Sequence, residues 1–461
     1  MTGPENRNSA APSDRDMATQ GQGIAAAPGQ RNAAAPGQRT AGGCCWLPTP
    51  VLSSAAALLL APAVLYAAPP EPGTAAYTAA QADRQLQIFV AAETNYDDNL
   101  FRLPANLSTQ AAGLGADSTR MDRIDVASAG LSYQWQPSAQ TIKANAGAAY
   151  NRFANNGILN NTSRYAKLEW DWRLADRWSG QLGSNYTEAL ANFANNHFFA
   201  KDILRSSGYF GEIDWQLGPH VFLSANARHS STTHSAAERV YEDYAANTGG
   251  TGVKYVTEAG NEFGWEYRYT HADYPHNAQV KGIPFDQKFA ESTSGFHLKY
   301  LLTGKTQIEA SAGYLKRDYP TSNYGDFSGS VWHTTLTWAP GAKTQVVFNA
   351  WRQLTAYLDA QSDYFVSNGV SIAPTWQPTT KLSFALQYTR DRDRYIGSSF
   401  VAAPVPDTRR ETVSSGKFIA TWDPTDLIRV TAAYKFERRH STVDLFTYDD
   451  NLETIDIRFM L

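Results

Sequence analysis

From about residue 86 to the end of the chain, apolar and polar residues alternate one for one in segment after segment. Ala127, Ala129, Leu131, Tyr133 and Trp135 are separated by Ser128, Gly130, Ser132 and Gln134. Ala166, Leu168, Trp170 and Trp172 are separated by Lys167, Glu169 and Asp171, with Arg173 next. The same beat runs through Phe263 to Thr270, Leu382 to Tyr388 and Ile428 to Glu437, and closes on Ile455, Ile457, Phe459 and Leu461. Successive strand side chains point to opposite faces, so each segment predicts a strand with one apolar and one polar face.

Eighteen such segments fit between Leu86 and Leu461, with 16 as the lower count, each about 10–14 residues long. Strands of soluble proteins run about 5–6 residues, whereas a tilted membrane strand needs about 9–11. Length therefore predicts a membrane. Short connections fall at 136–139, 175–177, 218–220, 258–261, 303–305, 340–343, 377–380 and 423–426. Longer ones lie between them, including 97–120, 189–202, 272–286 and 392–409. Outer-membrane barrels alternate tight periplasmic turns with longer external loops.

An aromatic residue enters each short turn: Trp135, Trp172, Trp215, Tyr255, Tyr300, Trp338, Trp376 and Trp422. Three occur in one phrase, Trp135-Gln-Pro, Trp376-Gln-Pro and Trp422-Asp-Pro. Amphipathic rings at one depth predict a girdle at the periplasmic lipid headgroup boundary. The recurrence every 37–46 residues resembles a propeller blade, but a blade needs four short strands where two long ones fit.

An open sheet would leave two unpaired edges in hydrocarbon, so the expectation is closure. The fold class is then all-β: a transmembrane antiparallel up-and-down barrel of about 18 strands, wide enough for an aqueous interior. By alternation the wall carries Lys143, Lys167, Arg173, Arg228, Arg268, Lys299, Arg317, Lys417, Arg429 and Lys435. Against them stand Glu93, Glu169, Asp171, Glu212, Asp214, Glu266, Glu309 and Glu437, too even a balance to name an ion preference. Phe89, Phe210, Phe222 and Trp351 also face inward and offer rings for a sugar.

Composition agrees with strands: 12 Trp, 24 Tyr and 21 Phe accompany only 4 Met, and mean hydropathy is −0.42. With 40 Lys+Arg against 44 Asp+Glu, the chain lacks the basic excess of a nucleic-acid binder. Its two cysteines, Cys44 and Cys45, precede the first strand and exclude disulfide or thiol chemistry in the barrel. Residues 1–68 read as a low-complexity segment followed by a signal peptide. Arg31 and Arg39 precede an apolar run with Leu58, Leu59, Leu60, Val64 and Leu65, and cleavage is expected after Ala67 or Ala68. A transmembrane anchor is the alternative, disfavoured by the short core and Pro62. Residues 69–84 are expected to form a periplasmic linker and 85–461 the barrel. The near-repeat of 25–32 at 33–40 leaves open a translation start downstream of Met1.

The phrase Tyr96-Asp97-Asp98-Asn99-Leu100-Phe101-Arg102-Leu103-Pro104, with Asn192-Phe193 and the Trp-rich hairpins, resembles the EpsL family. Those are outer-membrane β-barrels associated with exosortase-linked exopolysaccharide operons and grouped with β-barrel porins. The resemblance runs over roughly residues 85–461 and carries no catalytic motif. It implies export or assembly of an extracellular polysaccharide, with the polymer, outer-membrane lipid and periplasmic export machinery as partners. Asp97, Asp98 and Asn99 have two readings: a Ca²⁺, sugar-hydroxyl or constriction site, or Asx-turn chemistry that ends a strand.

No cofactor motif is present. His297 and His333 face the lumen outside any triad or His-Glu-x-x-His setting, while His197, His234, His276 and His440 fall in loops or at the rim. Glu169 with Asp171, and Glu212 with Asp214, approach glycosidase spacing, but any half-polar strand yields such pairs. The sequence therefore predicts a pore rather than an enzyme, and the resemblance implies that it passes a polysaccharide through weak repeated contacts. A polysaccharide-holding surface barrel and a general diffusion porin are the alternatives.

Overall fold

The computed structural model describes residues 86–461, apart from 195–197, 277, 281–282, 286–287, 321–325, 357–363 and 397–408. The leader, its cleavage point, the linker and His197 lie outside the described residues.

The strands are β1 (Leu86–Asp97), β2 (Asp122–Trp135), β3 (Thr141–Phe153), β4 (Asn161–Leu174), β5 (Trp178–Leu190), β6 (Ile203–Gln216), β7 (Val221–His234), β8 (Tyr244–Val256) and β9 (Glu262–Asp273). A small hairpin, β10 (Ala278–Val280) with β11 (Ile283–Phe285), interrupts the next connection. Then come β12 (Phe289–Thr303), β13 (Thr306–Asp318), β14 (Phe327–Gly341), β15 (Thr344–Ala356), β16 (Tyr364–Thr379), β17 (Leu382–Ile396), β18 (Arg410–Thr425), β19 (Ile428–Ser441) and β20 (Tyr448–Met460). Setting β10 and β11 aside, each strand pairs antiparallel with the next, and β1 pairs β20 from Phe89↔Met460 to Asp97↔Leu452. The result is one closed 18-stranded barrel. No helix among the described residues is long and apolar enough to cross a membrane.

The strands run 12–16 residues, at or slightly beyond the expected length. β17 shows the excess, continuing to Ile396 where the sequence suggested a loop from Arg392. Turns at one end span at most 136–140 or 257–261, while those at the other reach 98–121 and 274–288. The short-turn end is periplasmic by this asymmetry.

Lipid dictates the outer face. Leu131 and Trp135 on β2, Phe263, Tyr267 and Tyr269 on β9, and Leu386 and Tyr388 on β17 all project outward and are exposed. From Trp135 to Ala127 the outward positions of β2 cover about 26 Å of strand, or about 20 Å of membrane at a tilt near 40°. Of the eight aromatics that enter the short turns, seven are exposed and Trp172 is half-buried. Trp172 lies flat over Gly180, where a built Cβ would sit 2.6 Å from the ring. Only glycine allows that approach. The ascending strands widen the girdle: Trp178 stacks on Trp215 at 5.4 Å, and Trp376, Phe384 and Phe418 form a continuous run.

Prolines organise the turns beneath it. Register slips between Trp338 and Gly341, Trp376 and Thr379, and Trp422 and Thr425, each time spanning a Pro that cannot donate to the ladder. The freed proline carbonyls take a lysine from the preceding turn: Lys305 to Pro340 (3.2 Å), Lys343 to Pro378 (2.5 Å) and Lys381 to Pro424 (2.9 Å). Neighbouring turns are thus clasped into a rim.

Candidate functional site: the lumen and its external mouth

The inner face begins as the sequence suggested, polar and charged. Lys143 reaches Glu169 (3.3 Å) and Asp171 (2.9 Å), and Lys167 also bonds Glu169 (2.8 Å). Lys254 pairs with Asp214 (2.7 Å), Arg268 with Glu266 (2.9 Å), Arg429 with Asp423 (2.7 Å) and Lys435 with Glu437 (2.8 Å). Most wall cations therefore face a carboxylate on their own or the adjacent strand, which holds the charge in place without giving the lumen one sign. Arg173, Lys299 and Lys417 stand on the same face, with Arg173 exposed at the periplasmic end.

The inward rings carry cations on their faces. Arg458 lies 4.5 Å from the Phe89 ring centre, Arg228 lies 5.6 Å from Phe210, and Lys254 lies 5.8 Å from Phe222. Trp351 rests against Gly369. Of the carboxylate pairs considered for glycosidase work, Glu169 and Asp171 both bond Lys143, and Asp214 bonds Lys254. His297 bonds Glu262 at 2.9 Å and faces Ser311 across the β12–β13 ladder. His333 stands on the β14 inner face opposite Trp351.

Arg317 departs from the reading of a water-lining cation. It is 3% exposed, donates to Glu291 at 2.6 Å, and lies 4.1 Å from the Phe289 ring centre. The cause is a change in the inner face near the external end. There Tyr244, Ala246, Ala272, Phe289 and Leu315 form a buried apolar cluster with Tyr319, Leu354, Tyr364 and Val366. A guanidinium in that setting must be paired, and it is.

A second apolar cluster shows why the inner faces turn greasy. Ile124 and Val126 on β2, and Ala149 and Phe153 on β3, project inward against Leu100, Phe101 and Leu103 of the first long loop and Phe193 of segment 191–202. Phe101 meets Phe193 at 5.1 Å and Phe199 edge-on at 5.8 Å. The first loop is folded into the barrel, and Phe193 and Phe199 of the next long connection follow it. Leaving β5, that segment reaches the inner wall of β19, where Arg439 donates to the Ala194 carbonyl at 2.6 Å. Five strands of the ring lie between the two.

The Asp97-Asp98-Asn99 motif anchors this infolding. An Asx-turn is present: the Asn99 N–H donates to Asp97 Oδ1 at 2.9 Å. The Asn99 side chain then holds Leu103 through two bonds of 2.9 Å and reaches the Asp449 carbonyl at 2.8 Å. Arg102 sits between Asp97 (3.0 Å) and Asp450 (2.7 Å) and also donates to the Asn99 carbonyl. Asp97, Asp98 and Asp450 approach closely enough to hold a cation, and the Arg102 guanidinium supplies positive charge to two of them. Arg102 adopts φ +55°, a conformation that costs a non-glycine residue of order 1 kcal/mol and that these bonds hold in place.

Next to it, Arg409 and Arg439 share Glu411 at 2.8 and 3.5 Å, with Arg409 4.0 Å from the Tyr395 ring centre. Outside the barrel wall, Asp202 accepts the Ser235 and Ala236 N–H groups (2.9 and 3.0 Å) and pairs with Arg239 at 2.9 Å. Burial alone would lower the Arg239 pKa, but Glu242 and then Asp202 hold it above its ordinary value. The external loops are thus stapled to one another as well as to the wall.

A closed wall with a lipid-facing apolar band, an aromatic girdle and a polar interior makes this chain an outer-membrane β-barrel. Comparison with known proteins agrees at that level: residues 253–460 match the family model described as "Putative beta-barrel porin 2". No curated protein matches the chain. Among solved structures, OccK2 (OpdF) of Pseudomonas aeruginosa in complex with glucuronate is 9% identical at a TM-score of 0.45, covering 82% of this chain and 98% of its own. Acinetobacter baumannii OccAB3 is 10% identical at 0.41, covering 82% and 99%. The P. aeruginosa siderophore receptor PirA is 10% identical at 0.40, covering 81% and 80%.

Proposed function

We propose that this barrel is a passive pore for small polar solutes, narrowed at its external mouth by the infolded first loop and segment 191–202. The observation that carries the proposal is the Arg102 anchor, which fixes the first loop against the inner wall through Asp97 and Asp450. A paired, mixed-sign wall suits this role, because weak multi-site contact lets a solute enter and leave. Polysaccharide export, implied by the EpsL resemblance, fits these features less well. The mouth is occupied by two segments, and the Phe89, Phe210 and Phe222 ring faces that could stack on sugars are shared with cations.

The test is reconstitution of the full barrel in planar bilayers and in liposomes swollen with sugars of graded size. We expect ohmic conductance, and swelling rates that fall steeply from mono- to trisaccharide. Bilayers that stay silent at every voltage would sink the proposal. Current reversibly blocked by the producing cell's own polymer would instead restore export.

A further inference from the structure

The lumen wall repeats one packing device. Gly130, Gly147, Gly183, Gly264 and Gly369 point inward, and a Cβ at each would fall within 2.6 Å of a ring, that of Phe89, Tyr165, Phe210, His297 and Trp351 in turn. Each ring belongs to the residue in register on the adjacent strand. A strand position without a side chain is a flat seat, and a ring lies on it.

Gly295 on β12 and Gly313 on β13 also point inward, because Phe296 and Tyr314 beside them are exposed on the lipid face. The two glycines pair with each other, and their outer partners in register are Glu266 on β9 and Val331 on β14. Neither partner is a ring. The atoms nearest to a Cβ at either glycine are main-chain atoms, at 2.7 to 3.4 Å. A cavity of about 150 Å³ opens on this pair. Its rim carries Glu266 with Arg268 at 2.9 Å, the Ser311 hydroxyl, and the apolar side chains of Val331 and Leu315. Leu315 also belongs to the apolar cluster near the mouth, so the recess lies just on the periplasmic side of that cluster.

We infer that this recess seats the ring of a neutral monosaccharide. The inference rests on the reading of the barrel as a pore for small polar solutes, and it names one class of solute and the place where it pauses. A pyranose has C–H faces and a hydroxyl edge. One C–H face lies on the glycine main chain and against Val331 and Leu315, as the wall's own rings lie on the other glycines. The edge hydroxyls donate to the Glu266 carboxylate, accept from the Arg268 guanidinium, and do either with Ser311. Glu266 and Arg268 neutralise each other, so the rim favours an uncharged sugar over a sugar acid. One face of the sugar stays open to the lumen, which suits a contact that slows a solute without trapping it.

The test is saturation-transfer NMR on the full barrel in detergent micelles with D-glucose as the probe, which reads binding whether or not the pore conducts. Val331→Phe places a ring in register with Gly313, as the other glycines already have. By overfilling the seat it should weaken glucose binding at least about tenfold. Ser311→Ala removes one hydroxyl and should weaken binding about threefold to tenfold, and it serves alone should Val331→Phe lose its strand signal. Silent bilayers would sink the pore and leave this measurement standing. The seat itself is overturned by a parent barrel that gives no glucose signal, by variants that bind glucose as the parent does, or by displacement of glucose with equimolar phenol, a flat ring with a single hydroxyl.

Discussion

Replacing Arg102 by alanine tests whether the infolded loop narrows the pore. The side chain is 11% exposed, and its two acceptors, Asp97 and Asp450, have 0% side-chain exposure. Removing one member of a buried ion pair leaves an uncompensated charge and costs about 3–5 kcal/mol. Alanine brings no relief at φ +55°, because it too carries a Cβ. Against this, burial of Leu100, Phe101 and Leu103 contributes about 1.5–3 kcal/mol each, so the loop stays down most of the time. At about 1.4 kcal/mol per factor of ten, the population with the loop lifted should rise by roughly two to three and a half orders of magnitude. Single-channel recording should show larger, noisier conductance, and chymotrypsin should newly cut at Leu107 or Leu114. Arg102→Lys should give an intermediate result, since an ammonium keeps the charge but loses the fork. Conductance and cleavage unchanged from the parent would refute both the anchor and the magnitude.

Three further outcomes follow from residues described above. Ala175, in a periplasmic turn at φ +51°, should gain about 0.5–1 kcal/mol on replacement by glycine, read as a higher urea midpoint in vesicles; a lower midpoint would contradict the strain. Trp215→Ala removes one partner of the Trp178 stack and should cost about 1–3 kcal/mol in the same assay, whereas a loss below about 0.5 would deny the girdle an energetic role. Asp202→Ala leaves two N–H groups without their acceptor and Arg239 with Glu242 alone, at a local cost of about 1–3 kcal/mol, so proteolysis should begin within 235–243 while the strand signal of the barrel persists.

The sequence exposed the wall far better than the mouth. Lipid makes the same demand on every outward position, so alternation, strand length and the turn aromatics each repeat along the chain and reinforce one another. Lys143, Lys167, Arg268 and Lys435 sit on the inner face because the same parity that sends Leu131 and Tyr388 to lipid sends them to the lumen. Infolding has no such period. Arg102 meets Asp450 at a separation of 348 residues, and Arg439 meets Ala194 at 245, contacts that no local pattern encodes. A faint signal did exist: Ile124, Val126 and Phe153 interrupt the polar parity at the external ends of β2 and β3, as Phe289 and Leu315 do on β12 and β13. An apolar inner face near the mouth has to be covered, and it is covered by a loop. The burial of Arg317 belongs to the same break in pattern.

The seam between β1 and β20 bears on how such a molecule can be made. Ile88 and Leu461 exchange main-chain bonds of 3.1 and 2.7 Å, joining the beginning of the sheet to its final residue. Every other wall strand pairs with its neighbour in chain order, whereas this pair must meet across the entire circumference. Assembly is consequently all-or-none at its last step: until β20 arrives, two raw edges face hydrocarbon, and any arrest in delivery leaves an intermediate that the bilayer itself rejects.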